Sequence, residues 1–181
     1  HSIVGFCVYG GMVKFCGCVA HTLMRRYEHT QQKETQSKMK YTERVASGDD
    51  FEFLFELKKA AEYDAVSRVF GWDEMLQRQI HEEEWSHAKP TIIEVNGVRA
   101  GSYLFQPQGS NYYFGRFFLM PQFQGQGIGS AVIENCIAKA TPKSIDLCHL
   151  IGNKVNSLYV RHGFKVTGKD DHFVYMQYTC S

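Results

Sequence analysis

A glycine-rich turn between a strand-like run and a helix-like run constrains this chain more than any other feature. Residues 112–119 are aromatic and β-prone, and Pro121 interrupts them. Gly125, Gly127 and Gly129 follow at alternate positions, and apolar residues at helical spacing begin directly after them. Glycine permits the sharp turns that expose backbone N–H groups, and the first turn of a helix has N–H groups without internal partners. The pattern therefore predicts a strand, a tight turn and a helix N-terminus that together bind an anion such as a diphosphate.

Two common phosphate-binding motifs fit this turn poorly. A P-loop requires Lys followed by Ser or Thr after its glycines, and no such pair follows here. A dinucleotide fingerprint requires its third glycine one residue later than Gly129, and it opens a domain of repeated strand–helix units. Only about fifty residues follow the turn, too few for that domain. An ordinary structural turn before an amphipathic helix remains an alternative.

Size, charge and cysteine usage limit the remaining classes. A chain of 181 residues accommodates one domain, or one domain with an appendage. The formal net charge of +1 gives no basic field, so nucleic acid is not an expected partner. The six cysteines include no Cys-x-x-Cys pair, so we predict reduced thiols, no metal site and a cytoplasmic protein. His81 and His87 do not share a helix face, so we interpret residues 81–87 as a solvated helix end.

The first 39 residues differ in character from the rest. Residues 2–24 are apolar enough to raise the question of a membrane span. Lys14 in the middle of this run, four glycines and the lack of a clear cleavage pattern argue against a span or a signal peptide. Residues 27–40 are polar and have the composition of a linker. We therefore predict an N-terminal extension over 1–39 and one folded domain over 40–181, with a membrane anchor as the alternative.

Local signals predict the order of elements in that domain. Ser47 and Asp73 are candidate N-caps of two successive helices. Asn96-Gly97, between two β-prone runs, is a strong hairpin signal, and residues 106–110 predict a second turn. Residues 145–150 predict a strand and 153–162 a helix. The predicted order is two helices, three antiparallel strands, a helix, a strand, a helix and two strands.

Two segments of the chain resemble one known family. Residues 124–129 resemble the Gln/Arg-x-x-Gly-x-Gly/Ala signature of the GNAT acetyltransferase superfamily. Residues 153–164 are similar to the family's Asn-x-x-x-x-Leu-Tyr-x-x-x-Gly-Phe segment and lie at the expected separation. The resemblance covers about residues 40–178, and the predicted element order agrees with it. It implies an α/β (α+β) fold with a mixed, mostly antiparallel sheet, flanked by helices and splayed at the central strands.

The resemblance also implies a cofactor and the residues that hold it. The family binds acetyl-CoA as a co-substrate, with the pyrophosphate on the signature turn and the pantetheine arm along the strand before it. Leu119 would offer an N–H near the thioester carbonyl, and Met120 would line the arm. The residues expected to bind the cofactor are Leu119, Met120, Gln124, Gly125, Gln126, Gly127, Ile128, Gly129, Ser130 and Asn153. For Asn153, a role as a plain helix cap stays open.

One catalytic residue is carried over from the family, and the other candidates are chosen for their chemistry and their place near the first two helices. Tyr159 stands where the family commonly has its general acid, although it also suits a packing role. Glu84 is the expected general base, with Glu83 and Glu94 as other candidates. The acceptor pocket is expected between the first two helices and their loop. The residues expected to contact the acceptor are Tyr63, Phe70 and Trp72, with Arg68 beside them.

The resemblance implies an N-acetyltransferase that moves an acetyl group directly to an amine of a small molecule or protein. Two alternatives from other classes stay open. One is a catalytically silent CoA-binding or regulatory module, and the other is a dinucleotide-binding protein. Members of the family often form dimers, so a homodimer is compatible with the resemblance.

Overall fold

The computed structural model describes residues 40–180. The predicted N-terminal extension over 1–39, with its apolar run, lies outside the described residues. Within residues 40–180, no helix is long and apolar enough to cross a membrane.

The described chain contains seven strands and four helices. The strands are β1 (Thr42–Val45), β2 (Thr91–Val95), β3 (Val98–Gln108), β4 (Asn111–Leu119), β5 (Ile145–Leu150), β6 (Lys165–Lys169) and β7 (Phe173–Tyr178). The helices are α1 (Phe51–Val69), α2 (Glu74–His87), α3 (Ile128–Ala140) and α4 (Asn156–Arg161). Short 3-10 turns, Gly48–Asp50 and Pro121–Phe123, precede α1 and follow β4.

All seven strands form one mixed sheet in the order β1-β2-β3-β4-β5-β7-β6. Every neighbouring pair is antiparallel except β4 and β5, which run parallel. A parallel pair needs a crossover connection, and α3 supplies it. The predicted fold class is therefore confirmed.

The central parallel pair is joined over a very short stretch. Only Tyr112 with Ile145 and Tyr113 with Asp146 are in register. Beyond these two pairs β4 continues to Leu119 and β5 to Leu150 without pairing with each other. The two strands therefore diverge and leave a cleft in the middle of the sheet, which is the predicted splay.

A β-bulge lies in the diverging part of β4. Ser102 pairs with Phe118 and Leu104 with Gly115, so β4 has one residue more than β3 between these pairs. Arg116, in the bulge, has a φ of 47°. Its guanidinium donates to the carbonyls of Glu84 (3.1 Å) and Ala88 (3.0 Å), at the C-terminal end of α2. The bulge therefore fixes the last turn of α2 to the strand.

Two apolar layers cover the sheet. The larger core cluster joins the sheet to α3 and α4, and it includes Phe114, Ile128, Val132, Ile145, Tyr159 and Met176. A smaller cluster joins the sheet to α1 and α2, and it includes Ala46, Leu54, Leu57 and Ile92. The cleft between β4 and β5 thus lies between helices on both sides.

The observed elements differ from the sequence prediction in two strands. β1 was not predicted, because its four residues are mostly exposed and show no clean alternation of apolar and polar positions. β3 extends through Pro107 into the predicted turn. The amide of Tyr112, the partner of Pro107, donates to Ser144 (2.9 Å) rather than to β3. The nitrogen of Pro107 therefore points away from β4. On that side of β3, pairing with β2 has already ended at Tyr103, so the missing N–H of proline breaks no hydrogen bond of the sheet.

The interpretation of residues 81–87 as a solvated helix end is wrong for His81. This side chain is only 6% exposed. Its Nε2 lies 3.0 Å from the Phe51 carbonyl oxygen, and its ring packs against the rings of Phe51 and Phe55. Burial also lowers the pKa of His81. The helix face that carries His81 is therefore an interior face.

Candidate active site

The glycine-rich turn forms an open corner at the start of α3. Gly125 and Gly127 have φ angles of 71° and 82°, and Gly127 is the N-cap of α3. A Cβ added at either position would meet no atom within 4 Å, so the outer side of the turn is unobstructed. The side chain of Gln124 donates to the Leu119 carbonyl (2.8 Å) and ties the turn to the end of β4. The corner therefore has the geometry of an anion site at a helix N-terminus.

The third glycine of the turn has a packing role. A Cβ on Gly129 would lie 3.2 Å from Leu158 and 3.4 Å from Phe117. Gly129 therefore allows α3 to approach α4 and the bulged part of β4. The remaining predicted contacts, Gln126, Ile128 and Ser130, lie in the same turn and the first residues of α3, with Ile128 buried in the core.

The end of β4 presents a backbone donor to the cleft. The Met120 amide donates to the Ala100 carbonyl (2.8 Å) and so points toward β3. Successive backbone amides of a strand point to opposite edges. The amide of Leu119 therefore points away from β3, into the gap between β4 and β5. A ligand arm lying in that gap can pair with β4 as a missing strand would.

Tyr159 lies under the cleft, on α4. Its side chain is 5% exposed and packs against the rings of Phe114, His149 and Phe164, with centroids 5.7–6.2 Å away. Burial raises the pKa of Tyr159 well above its usual value, and the nearby Tyr113, Cys148 and Glu62 raise it further. The phenol is therefore protonated throughout the neutral range.

The contacts of Tyr113 connect the two diverging strands. The pKa of Tyr113 is raised to about 12, first by burial and then by Cys148 of β5, to which it is hydrogen-bonded. Its ring covers Gly115, where any Cβ would collide with it. Gly115 therefore makes room for a tyrosine between β4 and β5 at the base of the cleft.

Glu84, the base expected from the sequence, is held in an ion pair. Its Oε2 lies 3.1 Å from Nζ of Lys58, which is 7% exposed. The other two candidates have partners elsewhere: Glu94 accepts from Arg44 (2.8 Å), and Glu83 accepts from Gln79 (3.2 Å).

Glu62 of α1 is the acidic residue that sequence reasoning missed. It is half-buried, and burial raises its pKa to about 7, an effect that Lys58 opposes and Glu84 reinforces. The sequence signal was its spacing: Glu62 lies four residues after Lys58 and four before Val66, and both of these are buried.

The aromatic residues predicted for the acceptor lie around the connection between α1 and α2. Tyr63 is 47% exposed and packs on Trp72, whose Nε1 donates to Glu74 (2.7 Å). Phe70 is 55% exposed. Its ring makes an edge contact with the ring of His172, which lies in the turn between β6 and β7, and the ring centroids are 4.6 Å apart. Arg68 donates to its own helix, at the Asp64 carbonyl. These rings are exposed enough to form a wall for a ligand.

Asn153 precedes α4 rather than beginning it. Its side-chain oxygen accepts from the Val155 amide (3.0 Å), and α4 begins only at Asn156. This local bond stabilises the junction between β5 and α4. In the described part of the chain, no group of three His, Cys, Asp or Glu residues is placed to hold a metal ion. Its three cysteines, Cys136, Cys148 and Cys180, are free thiols.

Comparison with known proteins defines the class of this architecture. A family profile described as "Acetyltransferase (GNAT) domain" matches residues 86–166. A search of curated proteins finds no match. Among solved structures, the chain is similar to the PaiA N-acetyltransferase of Thermoplasma acidophilum in complex with coenzyme A. The two are 18% identical with a TM-score of 0.61, over 78% of this chain and 99% of the other.

Two further structures have the same fold. One is described as histone acetyltransferase HPA2 and related acetyltransferase from Corynebacterium glutamicum (19% identity, TM-score 0.62, 79% of this chain and 98% of the other). The other is a GNAT family acetyltransferase from Brucella melitensis in complex with acetyl-CoA (18% identity, TM-score 0.52, 79% of this chain and 90% of the other). The architecture is therefore the GNAT fold. The profile match covers the central strands, α3 and α4, and its description agrees with this fold.

Proposed function

We propose that this protein transfers the acetyl group of acetyl-CoA directly to an amine of a small molecule or protein. The observation that carries the proposal is the cleft where β4 leaves β5. The cleft begins beside the Tyr113–Cys148 contact, passes the outward amide of Leu119 and ends at the open glycine turn. A long donor fits this arrangement, with its diphosphate at the glycine turn and its thioester near the Leu119 amide. The bound CoA and acetyl-CoA of the two similar structures named above support the choice of donor.

In this proposal the backbone holds the donor. The backbone amides of the glycine turn and the first turn of α3, from Gln124 to Ser130, bind the pyrophosphate, together with the hydroxyl of Ser130. Met120 lines the pantetheine arm, Asn153 contacts its amide, and the amide of Leu119 donates to the thioester carbonyl. That bond strengthens as charge develops on the oxygen in the transition state.

Two side chains that border the cleft transfer the protons of the reaction. Tyr159 donates to the departing thiolate, and a glutamate deprotonates the acceptor ammonium. Glu84 is the base that the sequence favoured. The exposed rings of Tyr63 and Phe70 and the half-buried ring of Trp72 form the wall against which the acceptor binds.

Donor binding is the first test of the proposed function. We expect isothermal titration to give a micromolar Kd for both CoA and acetyl-CoA, and no binding of NADH. Free thiol should then appear when acetyl-CoA is mixed with an amine. The amine panel contains an alkyl monoamine, a diamine, an arylalkylamine and a lysine-containing peptide. CoA binding without thiol release for any amine would indicate a silent binding module. Binding of NADH alone would indicate a dinucleotide site.

Replacing Gly127 by Ala tests the role of the turn. A left-handed φ costs a residue with a Cβ about 1–2 kcal/mol, so the turn would relax away from its binding geometry. We expect the Kd for CoA to rise about tenfold, which corresponds to about 1.4 kcal/mol. Gly109→Ala is a matched control, because Gly109 has a φ of 59° and equal free space in the hairpin between β3 and β4. The proposed site is wrong if both variants bind CoA as tightly as the unmodified protein.

A further inference from the structure

The inner face of α1 places one carboxylate on the cleft. Leu54, Lys58 and Val66 are buried and lie at intervals of four and eight residues, so they form one stripe along the helix. Glu62 occupies the remaining position of this stripe, and its own side chain is half-buried. The stripe faces the sheet, so Glu62 points toward the strands rather than toward solvent.

The groups near Glu62 come from every element that surrounds the cleft. Its negative charge raises the pKa of both Tyr159 and Cys148, so it lies within electrostatic reach of α4 and β5. The titratable and charged groups coupled to Glu62, or to the tyrosines and the thiol of this region, are Lys58, Glu84, Tyr113, Arg116, Cys148, Tyr159 and Asp170. Glu62 therefore stands on the opposite side of the cleft from the proposed acid.

Glu62 and Glu84 differ in what their carboxylates contact. Glu84 is ion-paired with the buried Lys58 at 3.1 Å, and Arg116 donates to its backbone. The positive charge of Lys58 therefore neutralises the carboxylate of Glu84. Glu62 lies one helical turn further along α1, next to Tyr63 and nearer the exposed aromatic residues at the helix end. Glu62 is therefore the carboxylate that is coupled to Tyr159 and lies on α1 nearer the proposed acceptor wall.

We propose that Glu62 is the base that deprotonates the acceptor amine. This inference rests on the proposed function. The pKa of about 7 that burial gives Glu62 suits this role, because a base works best when its pKa is near the working pH. The proposal replaces Glu84 as the base and leaves the assignment of Tyr159 unchanged.

The proton transfers balance over one turnover. The Glu62 carboxylate takes a proton from the acceptor ammonium, and the resulting neutral amine attacks the thioester carbonyl carbon. The C–N bond forms and the C–S bond breaks, while Tyr159 gives its proton to the leaving thiolate. The new amide nitrogen loses its second proton to the Tyr159 phenolate, which restores the acid. Glu62 releases its proton to solvent, so one proton is produced for each amide formed.

Glu62→Gln tests the assignment, with Glu56→Gln as the matched control. Glu56 lies on the same helix but on its exposed face, so its replacement removes the same charge away from the cleft. We expect Glu62→Gln to lower kcat/KM about 10²-fold for the most active amine of the panel described above. The acid limb of the pH–rate profile, near pH 7 in the unmodified protein, should disappear. The Kd for CoA should not change, and Glu56→Gln should retain both the rate and the profile.

Thermal unfolding shows whether Glu62→Gln is folded. The folded-state pKa of Glu62 is raised above its ordinary value of 4.5, so the folded protein binds this proton more tightly than the unfolded chain. The stability that Glu62 contributes is therefore present below about pH 4.5 and is lost as the pH rises toward about 7. We expect Glu62→Gln to have a Tm at pH 8 equal to or above that of the unmodified protein, so a lower rate would not reflect unfolding.

The outcomes separate this inference from the proposed function. If the unmodified protein acetylates an amine and Glu62→Gln keeps its rate and its acid limb, the assignment of Glu62 fails alone. If Glu84→Gln removes the acid limb while Glu62→Gln keeps it, Glu84 is the base. If the unmodified protein releases no thiol with any amine, the proposed function fails, and the assignment of Glu62 fails with it.

Discussion

Replacing Tyr159 by Phe is expected to lower kcat about 10²-fold, the lower end of what a general acid contributes. The phenyl ring keeps the contacts with Phe114 and Phe164, so the packing around α4 changes little. Only the proton donor is lost. Because burial keeps the pKa of Tyr159 far above neutral, the unmodified protein has this donor fully protonated between pH 6 and pH 9. The Kd for CoA should stay within about twofold, since the proposed pyrophosphate site does not include this residue.

Tyr103→Phe is the matched control for this experiment. Tyr103 is also buried in the larger core cluster, at 3% exposure, and burial raises its pKa too. Its hydroxyl interacts with Glu43 and Thr91, away from the cleft. We expect Tyr103→Phe to lower the free energy of unfolding and to leave kcat unchanged. A Tyr159→Phe protein that turns over as fast as Tyr103→Phe would assign Tyr159 to packing alone.

Replacing Asp50 by Ala is expected to lower the free energy of unfolding by about 3 kcal/mol. Asp50 is 1% exposed, and its carboxylate accepts from both ends of the Arg44 guanidinium, at 2.7 and 2.9 Å. It also accepts from the amide and hydroxyl of Ser47, which closes a capping box before α1. Breaking a buried ion pair costs about 3–5 kcal/mol. The lower figure applies because Arg44 is 39% exposed and retains its bond to Glu94.

Urea unfolding measures this loss, with Asp49→Ala as the control. Asp49 is the exposed neighbour in the same turn, so it matches the charge and the position in the chain. The Arg44 guanidinium holds the pKa of Asp50 well below its ordinary value of 3.8. Its stabilisation is therefore complete above about pH 3.8 and is lost as the pH falls further, so the gap between the two variants should narrow in acid. Equal unfolding free energies at pH 7 would contradict the structural role given to Asp50.

Features that depend on local chemistry were predicted well from the sequence. Asp73 caps α2 as expected, with its side chain accepting from Leu76, and Asn96-Gly97 closes the hairpin between β2 and β3. β5 has the predicted bounds. The glycine turn was recognised because a positive φ at the start of a helix restricts the residue type strongly. Each of these signals lies within a few residues of the feature it specifies.

Features that depend on distant parts of the chain were not predicted. β1 forms because β2 pairs with it and Arg44 reaches Asp50, and its own sequence contains no strand pattern. Glu62 was not among the predicted site residues, because its raised pKa comes first from the burial that the packing of α1 produces. Arg116 was read as part of a regular strand, because nothing in its neighbours reveals the bulge. Tyr159, the proposed general acid, was found from the sequence because it lies in a motif that resembles the family's. Its catalytic role stays a prediction.

The attachment of Arg116 to α2 has a consequence for redesign of the acceptor side. One guanidinium holds the terminal carbonyls of a helix that borders the proposed acceptor pocket, and its backbone belongs to the strand whose Leu119 amide is proposed to bind the donor. Retargeting the protein to a bulkier acceptor by shifting α2 would pull on that strand and disturb the opposite substrate. Changes confined to the exposed rings near Phe70 leave this tether intact, and they are the safer route to altered selectivity.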